Sequence, residues 1–94
     1  MNREQTVEAM KKKLDQWNDD LNRLEALSEK IAAEKKTDYQ VTVANLRKKR
    51  SQARDQLERL RQTTGDAFND MRQGMDQAWQ AVGESFREAR QRYH

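Results

Sequence analysis

The pattern of apolar residues is most regular in the last third of the chain. Large apolar side chains lie 3, 4, 4, 3, 4 and 7 residues apart at Phe68, Met71, Met75, Trp79, Val82, Phe86 and Tyr93. This spacing contains an eleven-residue repeat, which at about 3.67 residues per turn keeps an apolar stripe nearly straight along an α-helix. Smaller residues flank the stripe at Ala67, Gly74, Ala78, Ala81, Ser85 and Ala89. The pattern predicts a helix over 66–93 that packs against two neighbours and forms the main assembly surface.

The first third of the chain follows a seven-residue repeat instead. Apolar residues occupy the two core positions of this repeat at Val7, Met10, Leu14, Trp17, Leu21, Leu24 and Ile31. Such a heptad pattern is typical of a coiled-coil helix. Asn2 and Gln5 have the spacing of a capping box at its start. We therefore predict a helix over about 3–35, with its core at Leu14, Trp17, Leu21 and Leu24.

The pattern weakens between residues 33 and 43, where two interpretations fit. In the first, Thr37 is the N-cap of a second helix and Gln40 completes a capping box, so that the chain turns near residue 36. In the second, a single helix continues, because the seam positions follow one another by 4, 4, 4 and 3 residues at Ile31, Lys35, Tyr39, Val43 and Leu46. Neither glycine nor proline marks a turn here, so both interpretations stay open.

A second segment, over about 38–63, has a weaker apolar stripe. Its members are Val43, Leu46, Ala53, Leu57 and Leu60, and Arg50 occupies a position that the heptad would place in the core. Gly65 then suits a helix C-terminus and Asp66 suits the N-cap of the next helix. The eleven-residue register nevertheless crosses Gly65, because Leu57 and Phe68 are eleven residues apart. We predict a turn near residue 65, with a helix continuing through it as the alternative.

The composition agrees with long helices. Hydrophobic residues make up 34% and charged residues 37% of the chain, which contains no proline and three glycines. Two turns would produce an antiparallel three-helix bundle, whereas without the first turn a helix of about 60 residues would need another copy to cover it. The prediction is one all-α domain over 1–94, either an antiparallel coiled coil or a three-helix bundle, assembled as a homo-oligomer.

Candidate chemistry is sparse. Cysteine is absent and the one histidine is His94, so a transition-metal site or a nucleophile with an orienting partner is not expected. Adjacent carboxylates such as Asp19 and Asp20 are predicted to face solvent. We expect no enzymatic activity, no cofactor and no small-molecule substrate. The charged start of the chain lacks the apolar run of a signal peptide, and no segment is apolar enough to span a membrane, which predicts a cytoplasmic protein.

Positive charge is concentrated in the middle of the chain. Residues 34–64 carry nine basic and four acidic side chains, a net of +5, whereas the segments on either side each have a net charge of −1. A candidate anion-binding set for nucleic acid or anionic lipid comprises Arg47, Lys48, Lys49, Arg50 and Arg54. A solvated helix face is the favoured interpretation, because consecutive residues point around a helix and no aromatic is interleaved for base stacking.

Three runs resemble a family of small bacterial coiled-coil domain proteins, some of them labelled stress-response proteins. They read KLDQWNDDLNRLEA at 13–26, LRKKRSQARDQLERL at 46–60 and GDAFNDMRQGMDQAWQAV at 65–82. The resemblance implies a helical coiled coil without an established activity, cofactor or set of binding residues. The apolar stripes and the absence of a reactive constellation predict a non-enzymatic, self-associating scaffold or adaptor, and the resemblance implies that it is stress-associated. The alternative is a binding module whose basic middle segment docks on nucleic acid or an anionic membrane.

Overall fold

The computed structural model describes residues 2–93, and the prediction made for His94 lies outside them. Three helices follow one another: α1 (Arg3–Ala26), α2 (Lys36–Gln62) and α3 (Asp66–Arg92). Two short 3-10 turns, Ser28–Lys30 and Ala33–Lys35, connect α1 to α2. The molecule measures 51 × 18 × 17 Å. The predicted all-α class is confirmed, and the three helices pack as a bundle.

Contacts between the helices define their directions. Arg47 in the first half of α2 reaches Glu25 at the end of α1, and Arg3 at the start of α1 donates to the carbonyl of Arg61 near the end of α2. Helices α1 and α2 are therefore antiparallel. Helix α3 runs parallel to α1, because Arg90 near its end pairs with Asp20 in the last third of α1.

Helix α1 begins as the sequence predicts. The Asn2 side chain accepts a hydrogen bond from the Gln5 backbone N–H at 2.8 Å, and the Asn2 N–H donates to the Gln5 side chain at 3.2 Å. This reciprocal pair is a capping box, and it provides acceptors for two donors that would otherwise lack partners at the end of the helix.

The first helix ends at Ala26, well before the predicted boundary near residue 35. Side chains of the following helix stabilise this early end: the buried Tyr39 hydroxyl donates to the carbonyl of Leu24, and the Lys36 ammonium donates to the carbonyl of Ser28. The Leu24 carbonyl lies in the last turn of α1, where the usual i+4 donors are lost, so the Tyr39 hydroxyl acts as a C-terminal cap; the Ser28 carbonyl belongs to the 3-10 turn that follows. The predicted continuation of α1 through Ile31 is wrong, since Ile31 has an extended backbone and is half-buried.

Helix α2 begins without the predicted capping box. Its N-cap is Lys35, which makes no side-chain capping bond, and Thr37 already lies inside the helix. The Thr37 and Gln40 capping prediction is therefore wrong, as is the alternative of one helix running through this region. The chain turns here because Tyr39 and Lys36 hold α2 against the end of α1.

The second turn lies where the sequence predicts it. Gly65 has a φ of 64° and a ψ of −140°, a conformation open almost only to glycine because it lacks a Cβ atom. The Thr63 hydroxyl donates to the carbonyl of Leu60 at 2.8 Å, which caps the end of α2. Gly65 rather than Asp66 is the N-cap of α3, so the predicted capping role of Asp66 is wrong.

Candidate functional site

The predicted packing residues meet in the interior of the bundle. The buried ones are Leu14, Trp17, Leu21, Leu24, Leu57, Leu60, Phe68, Met75, Trp79 and Phe86, and they form one cluster with seven further residues. Met71 and Val82 are half-buried and pack against this cluster. The large apolar stripe of α3 is thus covered by α1 and α2 of the same chain. The stripe that the sequence predicts as an assembly surface thus packs against helices of the same chain.

Aromatic residues form the centre of the cluster. The ring centroid of Trp17 lies 5.1 Å from that of Trp79 and 5.5 Å from that of Phe86. These separations lie in the range at which aromatic rings attract one another. The Trp79 indole N–H donates to the Gln56 side chain at 3.0 Å. The two tryptophans are structural, because both rings are buried in the core and the indole N–H of Trp79 has its partner within the chain.

The small residues beside the stripe have a different environment. Ala89 is buried and Ser85 is half-buried, whereas Ala67, Gly74, Ala78 and Ala81 are exposed. A Cβ atom added to Gly74 would meet no other atom within 4 Å. The close approach of a second helix that the sequence predicts along this flank is therefore absent within the chain at the four exposed positions. We call the four exposed positions the small-residue face of α3.

One carboxylate of the predicted solvent-facing pair is buried. Asp20 is 3% exposed, and its side chain forms an ion pair with Arg90 at 2.5 Å. The prediction that Asp20 faces solvent is wrong because α3 lies beside it, although Asp19 is exposed as expected. A sequence signal was present, since Asp20 follows Trp17 by three residues and precedes Leu24 by four, which places it on the flank of the core face.

The basic run divides between two sides of α2. Arg47 pairs with Glu25 at 2.9 Å and the Arg50 guanidinium donates to Asn18 at 3.1 Å, both on α1. Lys49 instead donates to Ser85 on α3 at 2.9 Å. Lys48 is exposed. These side chains do not form a single patch, in keeping with the expectation that consecutive residues point around the helix.

The fifth member of the basic set, Arg54, lies in a groove between the middles of α1 and α2. The groove has a volume of about 340 Å³. Its lining combines an apolar floor with charged and polar walls: Lys11, Leu14, Asp15, Asn18, Arg50, Arg54, Leu57, Glu58 and Arg61. Arg61 belongs to the same basic segment of the chain, whereas Lys11 could not be predicted, because only the packing of α1 on α2 brings it there.

Two other depressions lie beside α3. One, of about 680 Å³, opens between α1 and α3 beside Trp17 and Gly83. The other, of about 400 Å³, is mostly apolar and lies at the end of the bundle near Leu24, Leu27 and Tyr93. Arg90 lines both, but it already forms the ion pair with Asp20.

Tyr39 is the residue whose ionisation the fold clearly alters. Burial raises the pKa of its hydroxyl above the ordinary value of 10.0, and the nearby carboxylate of Glu25 raises it further, while Arg47 acts in the opposite direction. The neutral hydroxyl is the form that donates to the carbonyl of Leu24. This shift therefore accompanies a structural bond between α1 and α2 and does not mark a general base.

The described part of the chain shows no arrangement for metal binding. Among residues 2–93, no three His, Asp or Glu side chains are grouped so that they could hold a metal ion. No helix in this range is both long and apolar enough to cross a membrane.

The fold defines the chain as a small all-α three-helix bundle with a polar, charged exterior. No protein-family model, curated protein or solved structure significantly matches the chain. The resemblance to bacterial coiled-coil proteins therefore stays a prediction from the sequence.

Proposed function

We propose that the protein is a non-enzymatic scaffold or adaptor that associates with a second copy of itself through the small-residue face of α3. The observation that supports this function is the uncovered face itself. The resemblance to stress-labelled coiled-coil proteins supports a stress-associated setting for such a scaffold.

The small-residue face has the spacing of a helix-packing seam. Positions 67, 74 and 81 are seven residues apart, and position 78 divides the last of these intervals into 4 and 3, the alternation of a heptad repeat. This alternation is the repeat by which two helices interlock their side chains. Alanine and glycine leave room for a partner helix to lie close, and the space in front of Gly74 is empty. The chain therefore presents a helix-sized docking site that its own helices leave open.

Charge on the same side of α3 favours an antiparallel second copy. Asp70 and Arg92 are both exposed, and each lies eleven residues from Ala81; the ion pair that Arg92 makes with Asp38 within the chain is long, at 3.5 Å. An antiparallel crossing centred on Ala81 consequently places Asp70 of each copy beside Arg92 of the other. Exposed ion pairs contribute at most about 1 kcal/mol each, so they select the direction of packing more than they strengthen it. Because the face is narrow, we expect a reversible dimer.

Sedimentation equilibrium of the full chain tests this function. We expect the weight-average mass to rise with protein concentration toward that of a dimer. Ala81→Arg should abolish the rise, because two long cationic side chains would meet at the centre of the contact, while circular dichroism should show unchanged helicity. Gln73→Arg adds the same charge at another exposed position of α3 and should still dimerise.

Two outcomes would contradict the proposal. A chain that sediments as a monomer up to the highest soluble concentration does not use this face for self-association. Equal loss of dimer in Ala81→Arg and Gln73→Arg would show that added charge, and not the small-residue face, controls association.

A further inference from the structure

The groove between α1 and α2 carries cations from both of its walls. Lys11 projects from α1, and Arg50, Arg54 and Arg61 project from α2. Asp15 and Glu58 also line the groove, so four positive and two negative side chains give it a net charge of +2. The excess positive charge of the middle segment is thus partly concentrated at one place by the packing of the two helices.

Two of these cations are already oriented by neighbours. The Arg50 guanidinium donates to Asn18 at 3.1 Å, and that of Arg61 pairs with Glu58 at 3.1 Å. Lys11 and Arg54 form no ion pair with any residue of the range 2–93 that the structure describes. The groove therefore combines positioned arginine groups with two cations that are available to an incoming anion.

The floor of the groove strengthens the attraction. Leu14 and Leu57 form part of the lining and are 8% and 4% exposed. Charges beside an apolar surface interact through a lower effective dielectric than charges in open water. Arginine is also suited to phosphate, because its planar group presents two parallel N–H donors to two oxygens. These features favour a phosphate group over a monovalent anion.

The composition of the groove favours a compact ligand over a nucleic acid strand. Its volume of about 340 Å³ accommodates one small anion. Asp15 and Glu58 would repel a continuous row of phosphates, and no aromatic residue lines the groove to stack on bases. We propose that this groove binds a compact phosphate anion of the diphosphate type, held by Lys11, Arg50 and Arg54. The proposal is independent of the self-association described above.

Titration with inorganic pyrophosphate at low ionic strength tests the proposal, with binding measured by calorimetry or by the shifts of backbone amide NMR signals. We expect saturable binding with the largest shifts in the groove, at residues 11–18 and 50–58. Arg54→Gln should weaken binding about tenfold, the loss expected for one charge-assisted hydrogen bond. Lys48→Gln removes the same charge from an exposed position outside the groove, and it should change the affinity by less than about twofold.

A second pair of variants removes a negative charge, and in the groove this change should strengthen pyrophosphate binding instead of weakening it. Asp15→Asn removes a repelling carboxylate from the groove and should tighten pyrophosphate binding several-fold. Asp19→Asn, an equal change of charge at an exposed position outside the groove, should leave it nearly unchanged. All four substituted positions are exposed, so the variants should keep the helicity of the parent chain.

The results that would overturn the proposal are specific. Absence of saturable pyrophosphate binding at low salt would contradict it, as would equal weakening by Arg54→Gln and Lys48→Gln. A single-stranded oligonucleotide provides the remaining comparison. If it binds more strongly than pyrophosphate, and if Arg54→Gln and Lys48→Gln weaken its binding equally, the basic residues contact a nucleic acid backbone non-specifically and the proposal fails. A change of oligomeric state in these variants is not expected, because the groove and the small-residue face lie on different sides of the molecule.

Discussion

At the scale of single residues, a few buried polar groups tie the helices together. The ion pair between Asp20 and Arg90 is the most asymmetric of them, because the Asp20 side chain is 4% exposed and that of Arg90 is 38% exposed. Removal of the arginine would leave a carboxylate buried without its counter-charge, whereas removal of the carboxylate would leave a guanidinium that can still reach water. Loss of Arg90 should therefore lower the stability of the fold more than loss of Asp20.

Substitution of each partner tests this asymmetry. Arg90→Met should lower the free energy of unfolding by about 1–3 kcal/mol, since the buried carboxylate loses its partner. Asp20→Leu should cost less, and the double variant should be more stable than Arg90→Met alone. Urea denaturation of the four proteins measures the effect. Equal losses in the two single variants would contradict this description of the pair.

Tyr39 leads to a pH-dependent prediction. Because its pKa in the folded chain is raised above 10.0, the neutral hydroxyl contributes stability that is fully present below that pH and is lost as the pH rises through the folded value. Tyr39→Phe lacks both the hydroxyl and the hydrogen bond to Leu24. We expect the free energy of unfolding of the parent chain to exceed that of Tyr39→Phe by about 1 kcal/mol near neutral pH. This difference should shrink above pH 10. A difference independent of pH would contradict the assignment.

At the scale of the elements, the start of α1 and the turn after α2 follow from groups that lie close in sequence, although the equally close pair Thr37 and Gln40 does not form the capping box that its spacing predicts. Asn2 and Gln5 are three residues apart and fold as a capping box, and Gly65 marks a turn that needs a positive φ. The end of α1 was mispredicted because its capping group, the Tyr39 hydroxyl, is fifteen residues from Leu24. Local signals thus identify a boundary only when the partner is local as well.

The glycines allow a prediction about elements and turns. Gly74 lies within α3 with open space around it, so Gly74→Ala should raise the stability by about 0.5–1 kcal/mol through its higher helix propensity. Gly65→Ala should lower it by about 1–3 kcal/mol, because the positive φ is strained for any residue with a Cβ atom. Thermal denaturation should show shifts of opposite sign. A stabilising Gly65→Ala would mean that the turn adopts another conformation.

At the scale of the whole molecule, closure of the bundle decides which surfaces remain available. The apolar stripe of α3 contains the largest side chains of this helix, and these side chains pack in or against the core. Val41 is the one large hydrophobic residue of the described range that is markedly exposed, at 54%. The outer surface therefore offers a helix face of small residues and a basic groove as the places where a partner or a ligand can bind.

The sequence by itself determined the class of fold, most of the apolar residues of the core and the position of the second turn, whereas it left open whether the chain turns near residue 36. It could do so because helical periodicity, capping spacing and glycine conformation are properties of neighbouring residues. Only the tertiary structure decided that Asp20 is buried beside Arg90, that α1 stops at Ala26, and that Lys11 joins Arg54 in one groove. Each of these depends on residues far apart in the chain, whose contact follows from how three helices pack and from no local pattern.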